Sequence, residues 1–194
     1  MMRKLVLVTV SLALCAACAG GQKSDTREIG AAAFLVPDVK VALPRESGHP
    51  NATYHQLLDI SHGKEEQSVQ AVLQFSPGTV SLTGLSTLGL RLFHGSYSGG
   101  VLTVEQNVRP GSLPPVNQIL LDIMISMSPP EAWKLPQGYE IKDEGEEKRF
   151  LYDGDGSMIY RIEYDVVMGN RLPVLIEHKV YGYRIALKYL KLDF

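Results

Sequence analysis

Two stretches near the C-terminus alternate with a period of two, and that pattern restricts the fold more than any other feature of the chain. In Ser157–Val167, Met158, Tyr160, Ile162, Tyr164 and Val166 share one side, and Arg161, Glu163 and Asp165 share the other. In Tyr183–Leu190, Tyr183, Ile185, Leu187 and Tyr189 alternate with Arg184, Ala186 and Lys188. Such alternation gives a strand one apolar and one polar face, as in an antiparallel sheet wetted on one side. Asp153-Gly154-Asp155-Gly156 joins Arg149–Tyr152 to the first stretch, and Asp-Gly pairs supply the positive φ angles of a hairpin turn. Val174–Val180 pairs with the second stretch about Gly182.

Further strands are predicted upstream. Val69–Phe75 is apolar and ends at the turn Pro77-Gly78. Thr79–Thr83 and Leu88–Phe93 follow, and Gly99-Gly100 leads into Val101–Glu105. Between the two groups lies a helix over Leu113–Met127. Ser112 and Pro114-Pro115 mark its start, where missing amide donors do no harm. Val116, Ile119, Leu120, Ile123 and Met127 form its apolar stripe, which Met124, Leu121 and Ile125 widen. Gln118, Asp122 and Ser126 make its polar ridge, so the helix is more apolar than contact with one sheet requires. Ser128-Pro129-Pro130-Glu131 has the spacing of a capping box and predicts a second helix carrying Ala132, Trp133 and Leu135, ending near Pro136. Strands, a helical pair, then strands indicate an α+β fold with helices over one face of an antiparallel sheet.

The N-terminus is of another kind. A basic start, Met1-Met2-Arg3-Lys4, precedes the apolar run Leu5–Leu14 and the small residues before Cys18. This is the layout of a secretory signal peptide with a lipobox, and the run is shorter than the ~20 apolar residues that span a bilayer. Residues 1–17 are therefore expected to be removed and Cys18 acylated; several acyl chains make a stable anchor. Ala19 follows Cys18; the absence of Asp there points to the outer membrane, facing the periplasm. Residues 18–50 read as a tether and lead-in, with Ala31–Val36 as a short strand or helix edge, and residues 51–194 as one domain.

Charge and cysteines narrow the function. Nineteen Lys and Arg face 21 Asp and Glu, and loss of Arg3 and Lys4 makes the remainder more acidic. A nucleic-acid partner, which requires a basic surface, is not expected. Cys15 and Cys18 are the two cysteines, so no intramolecular disulfide is available once one is removed and the other acylated.

Motifs for catalysis and metal binding are incomplete. In Gly95-Ser96-Tyr97-Ser98-Gly99, Tyr97 stands where a nucleophile elbow needs serine. Ser61-His62-Gly63-Lys64 has Ser-x-x-Lys spacing without a partner motif. Asp153-Gly154-Asp155 begins like a calcium loop, but Tyr164 stands where the bidentate Glu is required. His49, His55, His62, His94 and His178 lack ligand spacing. The chain is read as a non-enzyme without metal or cofactor.

Apolar surface remains. The same stripes either fill an ordinary core or line a cavity sized for an acyl chain. The cavity candidates are Ile119, Leu120, Ile123, Met124, Met127, Trp133, Tyr160, Ile162, Tyr164 and Ile185. The uncharged segment Leu82–Leu90, interrupted by Gly84 and Gly89, is either a buried strand with a glycine bulge or a strand–turn–strand whose tip offers Leu85 or Leu88 to a bilayer.

Gly84-Leu85, Gly89-Leu90-Arg91-Leu92, the Leu113–Leu135 helical region with Leu121-Asp122 and Pro129, Ile162-Glu163-Tyr164 and Gly182-Tyr183-Arg184-Ile185 together resemble the LolA/LolB superfamily. They resemble more closely a related, uncharacterised outer-membrane lipoprotein family often encoded beside aryl polyene genes. The resemblance covers residues ~54–190, a single-domain span. It implies a curved antiparallel sheet forming an incomplete, half-open β-barrel with a helical lid over a lipid cavity. It also implies Leu85 or Leu88 as a membrane-inserting loop residue and Arg91 as the lid contact. The function implied is binding and transfer or insertion of a lipid, lipoprotein or aryl polyene cargo, with a periplasmic carrier protein as partner. The other reading is a non-catalytic accessory lipoprotein of an envelope assembly machine.

Overall fold

The computed structural model describes residues 25–45, 48–106 and 113–194; the signal segment and Cys18 lie outside them. The chain first forms β1 (Asp25–Gly30), β2 (Ala32–Val36) and β3 (Val39–Ala42). A meander follows: β4 (Ala52–His62), β5 (Glu65–Ser76), β6 (Thr79–Leu85), β7 (Arg91–Ser98) and β8 (Val101–Gln106). Helix α1 (Val116–Met127) and a 3-10 turn at Pro130–Ala132 lead into a second meander of β9 (Glu140–Glu144), β10 (Lys148–Tyr152), β11 (Met158–Val167), β12 (Asn170–His178) and β13 (Tyr183–Asp193). The fold is α+β and rich in sheet, as the alternation predicts.

Eleven strands make one antiparallel sheet in the order β1-β8-β7-β6-β5-β4-β13-β12-β11-β10-β9. The two meanders join where β4 pairs with β13, from Tyr183 opposite His62 to Asp193 opposite Thr53. Among the described residues the sheet is not closed: β1 and β9 are its two ends. β2 and β3 form a separate hairpin.

One face of the sheet carries the core. Along β4, Ala52, Tyr54, Gln56, Leu58 and Ile60 are buried and alternate with half-buried neighbours. Their partners Leu73, Ala71, Val69, Ile185 and Leu187 are buried too, so the register keeps every inward set on one side. Helix α1 lies across this face. Its start meets β7, where a Cβ added to Gly95 would come within 2.8 Å of Val116. Its end meets β10, where Arg149 binds its last carbonyls. β7 and β10 are seven strand steps apart in the sheet, roughly 34 Å along its surface at ~4.8 Å per step. A helix of 12 residues is only about 18 Å long. Both contacts require the sheet to bend around the helix.

The hairpin β2–β3 explains the wide apolar surface of α1. Ala33 and Leu35 are fully buried, with Val41 and Leu43 beside them. Asn117 Nδ2 on the helix donates to the Ala32 carbonyl at 2.9 Å. Sheet and hairpin thus cover the helix from two sides, and even Gln118, Asp122 and Ser126 are buried.

Three expectations are corrected. The second helix is only the turn Pro130–Ala132. Ser128 does not start it; its N–H donates to the Met124 carbonyl at the end of α1, and two prolines plus Pro136 leave room for no further turn. The strand expected at Leu88–Phe93 begins at Arg91, because Gly89 adopts φ 78° and donates to the Ser86 carbonyl, closing a turn. The stretch read as tether and lead-in is part of the domain from Asp25: β1 pairs with β8 along its whole length.

Candidate functional site

Three features meet along α1: a buried polar seam at its middle, an arginine clamp at its end and an open cleft at its start.

At the seam, the Tyr160 hydroxyl donates to Asp122 Oδ1 at 2.7 Å, and the Tyr183 hydroxyl donates to Oδ2 at 2.7 Å. Gln118, one turn earlier, donates through Nε2 to both phenol oxygens at 3.2 and 3.4 Å. Asp122 is completely buried. Burial pushes its carboxyl up to about 7, against the pull of the Tyr160, Tyr183 and Gln118 hydrogen bonds. The His178 ring is tilted against Tyr160 at 4.3 Å and against Tyr183 at 5.1 Å, ring centre to ring centre. Its Nδ1 accepts from the Tyr181 N–H at 3.3 Å, and burial pulls its pKa down to about 4. The seam is sealed from solvent. It fixes the helix on the sheet and offers no access to a substrate.

At the clamp, Asp143 takes Arg149 Nε at 2.7 Å and Nη2 at 2.9 Å. Arg149 Nη1 donates to the carbonyls of Ile125 and Ser128 at 2.9 and 2.7 Å. The Tyr164 hydroxyl donates to the Ser126 carbonyl at 2.7 Å, while Arg171 lies 3.6 Å over the Tyr164 ring. A helix C-terminus leaves carbonyls unpaired and carries partial negative charge; here a buried guanidinium satisfies both needs. Burial opposes the charge on Arg149, but the Asp143 hydrogen bonds and charge outweigh it and raise its pKa.

The cleft, of about 610 Å³, lies between the start of α1, the end of the sheet and the hairpin β2–β3. Ile29, Phe34, Phe93, Val104, Leu113 and Val116 give it an apolar wall. Arg27, Lys40 and Gln106 stand on the same lining. Neighbouring strands run in opposite directions, so the start of β1, the end of β8, the start of β7 and the β6–β7 turn share one end of the sheet. That turn carries Leu88, 85% exposed, and Leu90, 66% exposed.

The candidates from sequence divide accordingly. Ile119, Leu120, Ile123, Met124, Trp133, Tyr160, Ile162 and Ile185 are buried in one continuous core and do not line the cleft. Met127 and Tyr164 border a smaller opening of about 290 Å³ with Arg149, Arg171 and His49. Leu85 is half-buried at the end of β6, and Leu88 alone of the two loop candidates is at the tip. Arg91 is on β7 in an exposed ion pair with Glu105 at 3.1 Å; the arginine that grips the helix is Arg149. Among the described residues no group of three or more His, Cys, Asp or Glu is placed to hold a metal ion, and no helix is long and apolar enough to cross a membrane. Sequence reasoning missed Arg149, Arg27 and Lys40. Arg149 shares the buried side of β10 with Leu151, opposite Ile162; its place two residues before Leu151 in the strand is the one signal the sequence offers.

Comparison with known families adds one match. A family model described as a protein of unknown function, DUF3261, fits residues 53–191. The chain belongs to the DUF3261 family. The DUF3261 span takes in β4 to nearly all of β13, with the seam, the clamp and the start of α1. β1 and the hairpin β2–β3 precede it, so Arg27, Ile29, Phe34 and Lys40 come to the cleft from outside the matched span. No curated protein matches the chain.

Proposed function

We propose that this DUF3261 chain is a lipid-anchored envelope protein that binds an acyl chain and passes it to or from a membrane. In this reading the bent sheet is an incomplete, half-open barrel and α1 with its flanking hairpin is the lid. The observation that carries the reading is the apolar cleft at the start of α1, whose volume falls in the ~300–1,000 Å³ range of small-molecule sites. It stands at the same end of the sheet as Leu88 and Leu90, which would enter the interface of a bilayer while Cys18 holds the protein to that surface. Its position differs from the one expected from sequence: the guest lies beside the helix, against Phe93, Val104 and Val116, not beneath it.

Binding and release need no covalent chemistry. An acyl chain leaves the membrane for an apolar wall, and exchange follows the difference in affinity between conformations that open and close the cleft. The helix is held firmly at its end by Arg149 and Tyr164, so movement of the hairpin β2–β3 and of the first turn of α1 is the economical way to admit a guest.

A specific observation favours a second reading, an accessory lipoprotein that docks to an assembly machine. The residues beneath α1 fill the core with their own side chains, as a protein without a guest requires. One experiment separates the two: protein expressed from residue 18 with Cys18→Ser, extracted with organic solvent and titrated with a fluorescent fatty acid. Recovery of an acyl ligand or saturable binding supports the first reading. Absence of both overturns it in favour of the second.

A further inference from the structure

The cleft has a polarity of its own. β1 is one of the two edge strands, and its Arg27 and Ile29 stand opposite Val104 and Leu102, whose side chains are buried in the core face. Arg27 therefore belongs to the concave side of the sheet, while Glu28, opposite Thr103, belongs to the outer side. Arg27 Nη2 donates to Gln106 Oε1 at 3.5 Å. Across the opening, Lys40 on β3 holds its ammonium 4.6 Å above the Phe34 ring, and Phe34 itself lines the cleft. Among the described residues the lining thus contains two cations, the amides of Gln106 and Asn117 and no Asp or Glu, set around Ile29, Phe93, Val104, Leu113 and Val116; the Asn117 amide is already spent on the Ala32 carbonyl. The nearest carboxylate on β7 and β8, Glu105, is paired with Arg91; Asp38 lies in the β2–β3 turn.

An apolar wall alone would take any hydrocarbon. Two cations at its rim, without a neutralising carboxylate among the described lining residues, select a guest with a negative head. Resting on the acyl-binding reading above, we propose that the cleft takes a single-chain fatty carboxylate, its head between Arg27 and Lys40 with Gln106 as a further donor, and its chain along Phe93, Val104 and Val116. Arg supplies directed donors to a carboxylate, and Lys a point charge. Charge-assisted hydrogen bonds of this kind are stronger than neutral ones, and at a rim open to water they weaken as salt is added.

The test is displacement of a fluorescent fatty acid from the chain expressed from residue 18 with Cys18→Ser. The competitors are palmitate, hexadecanol of the same chain length, and a lysophosphatidate with the same chain. Palmitate is expected to compete about tenfold better than hexadecanol at low salt, with the gap narrowing at high salt. In the Arg27→Gln/Lys40→Gln variant the gap should close while hexadecanol competes as before. Both residues are exposed, and an unchanged circular dichroism spectrum and melting temperature show that the variant folds. Equal competition by palmitate and hexadecanol in the unaltered chain overturns the head-group assignment and leaves the acyl-binding reading standing. Competition by the lysophosphatidate that exceeds palmitate overturns the choice of carboxylate over phosphate. Failure of the fluorescent probe to bind overturns the acyl-binding reading itself.

Discussion

Asp143 grips two nitrogens of Arg149 and leaves the third, Nη1, to the end of α1. The carboxylate aims the guanidinium, and the guanidinium holds the helix. Removing the guanidinium leaves the Ile125 and Ser128 carbonyls without a donor and Asp143 without its main partner. Arg149→Ala should destabilise the fold by about 3–5 kcal/mol, read as a lower midpoint in urea unfolding. Arg149→Lys restores the charge without the planar fork and should recover only part of that loss. Asp143→Ala should cost less than Arg149→Ala, because Asp143 is more exposed and Arg149 keeps both helix carbonyls.

Asp122 and His178 act in opposite directions on acid stability. Asp122 has its carboxyl raised to about 7, so the folded state holds a proton that the unfolded chain releases near the ordinary carboxylate value; this contribution is present at low pH and lost as pH rises toward 7. His178 has its ring lowered to about 4, so the unfolded chain takes up a proton that the folded state refuses; its contribution is present at neutral pH and lost as pH falls from 6.5 toward 4. Between about pH 4 and 6.5 the two nearly cancel. Asp122→Asn should expose the histidine slope and lose stability toward acid. His178→Gln should expose the carboxyl slope and lose stability toward neutral pH. Urea midpoints measured at half-unit intervals for both variants check the pair, and parallel profiles would contradict it.

Gly95 marks the place where α1 sits down on the sheet. A Cβ there would come within 2.8 Å of Val116 Cγ1. Gly95→Ala should therefore cost about 1–3 kcal/mol, the usual range for overpacking. Val116→Ala opens space at the same spot, and the double variant should be less destabilised than the sum of the two single ones. A double-mutant cycle by chemical denaturation measures that coupling.

Leu88 and Leu90 have no role in the core. Leu88→Glu/Leu90→Glu should leave unfolding stability within about 0.5 kcal/mol, as for most exposed substitutions. Co-sedimentation of the non-acylated chain with vesicles should fall, while fatty-acid binding in the cleft is retained. Unchanged sedimentation would remove the turn from the membrane-contact reading.

Much of the architecture is legible in the sequence, and the reasons for the gaps are physical. Alternation in Tyr160–Tyr164 and Tyr183–Tyr189 reports strands directly, because each side chain's face is set by its place along the strand. The apolar stripe of Val116–Met127 reports the helix for the same kind of reason. Asp122 is visible as part of a polar ridge, but a ridge normally faces water. Its burial follows from the ridge facing the sheet, where Tyr160 and Tyr183, residues distant in sequence, meet the carboxylate. Arg149 acts on carbonyls at 125 and 128, and no local period records such a bond. The apolar stripes of α1 and the sheet do not locate a cavity, because apolar residues that fill a core and residues that surround a guest share one pattern until their packing is known.

The open edges of the sheet carry a last consequence. β1 and β9 end the strand order, and β9 reads Glu140-Ile141-Lys142-Asp143-Glu144. In the symmetric antiparallel register, two such strands from separate molecules would set Glu140 of each against Glu144 of the other and Lys142 against Lys142. Charges along an exposed strand of this kind are a means of discouraging a sheet from lengthening through that edge.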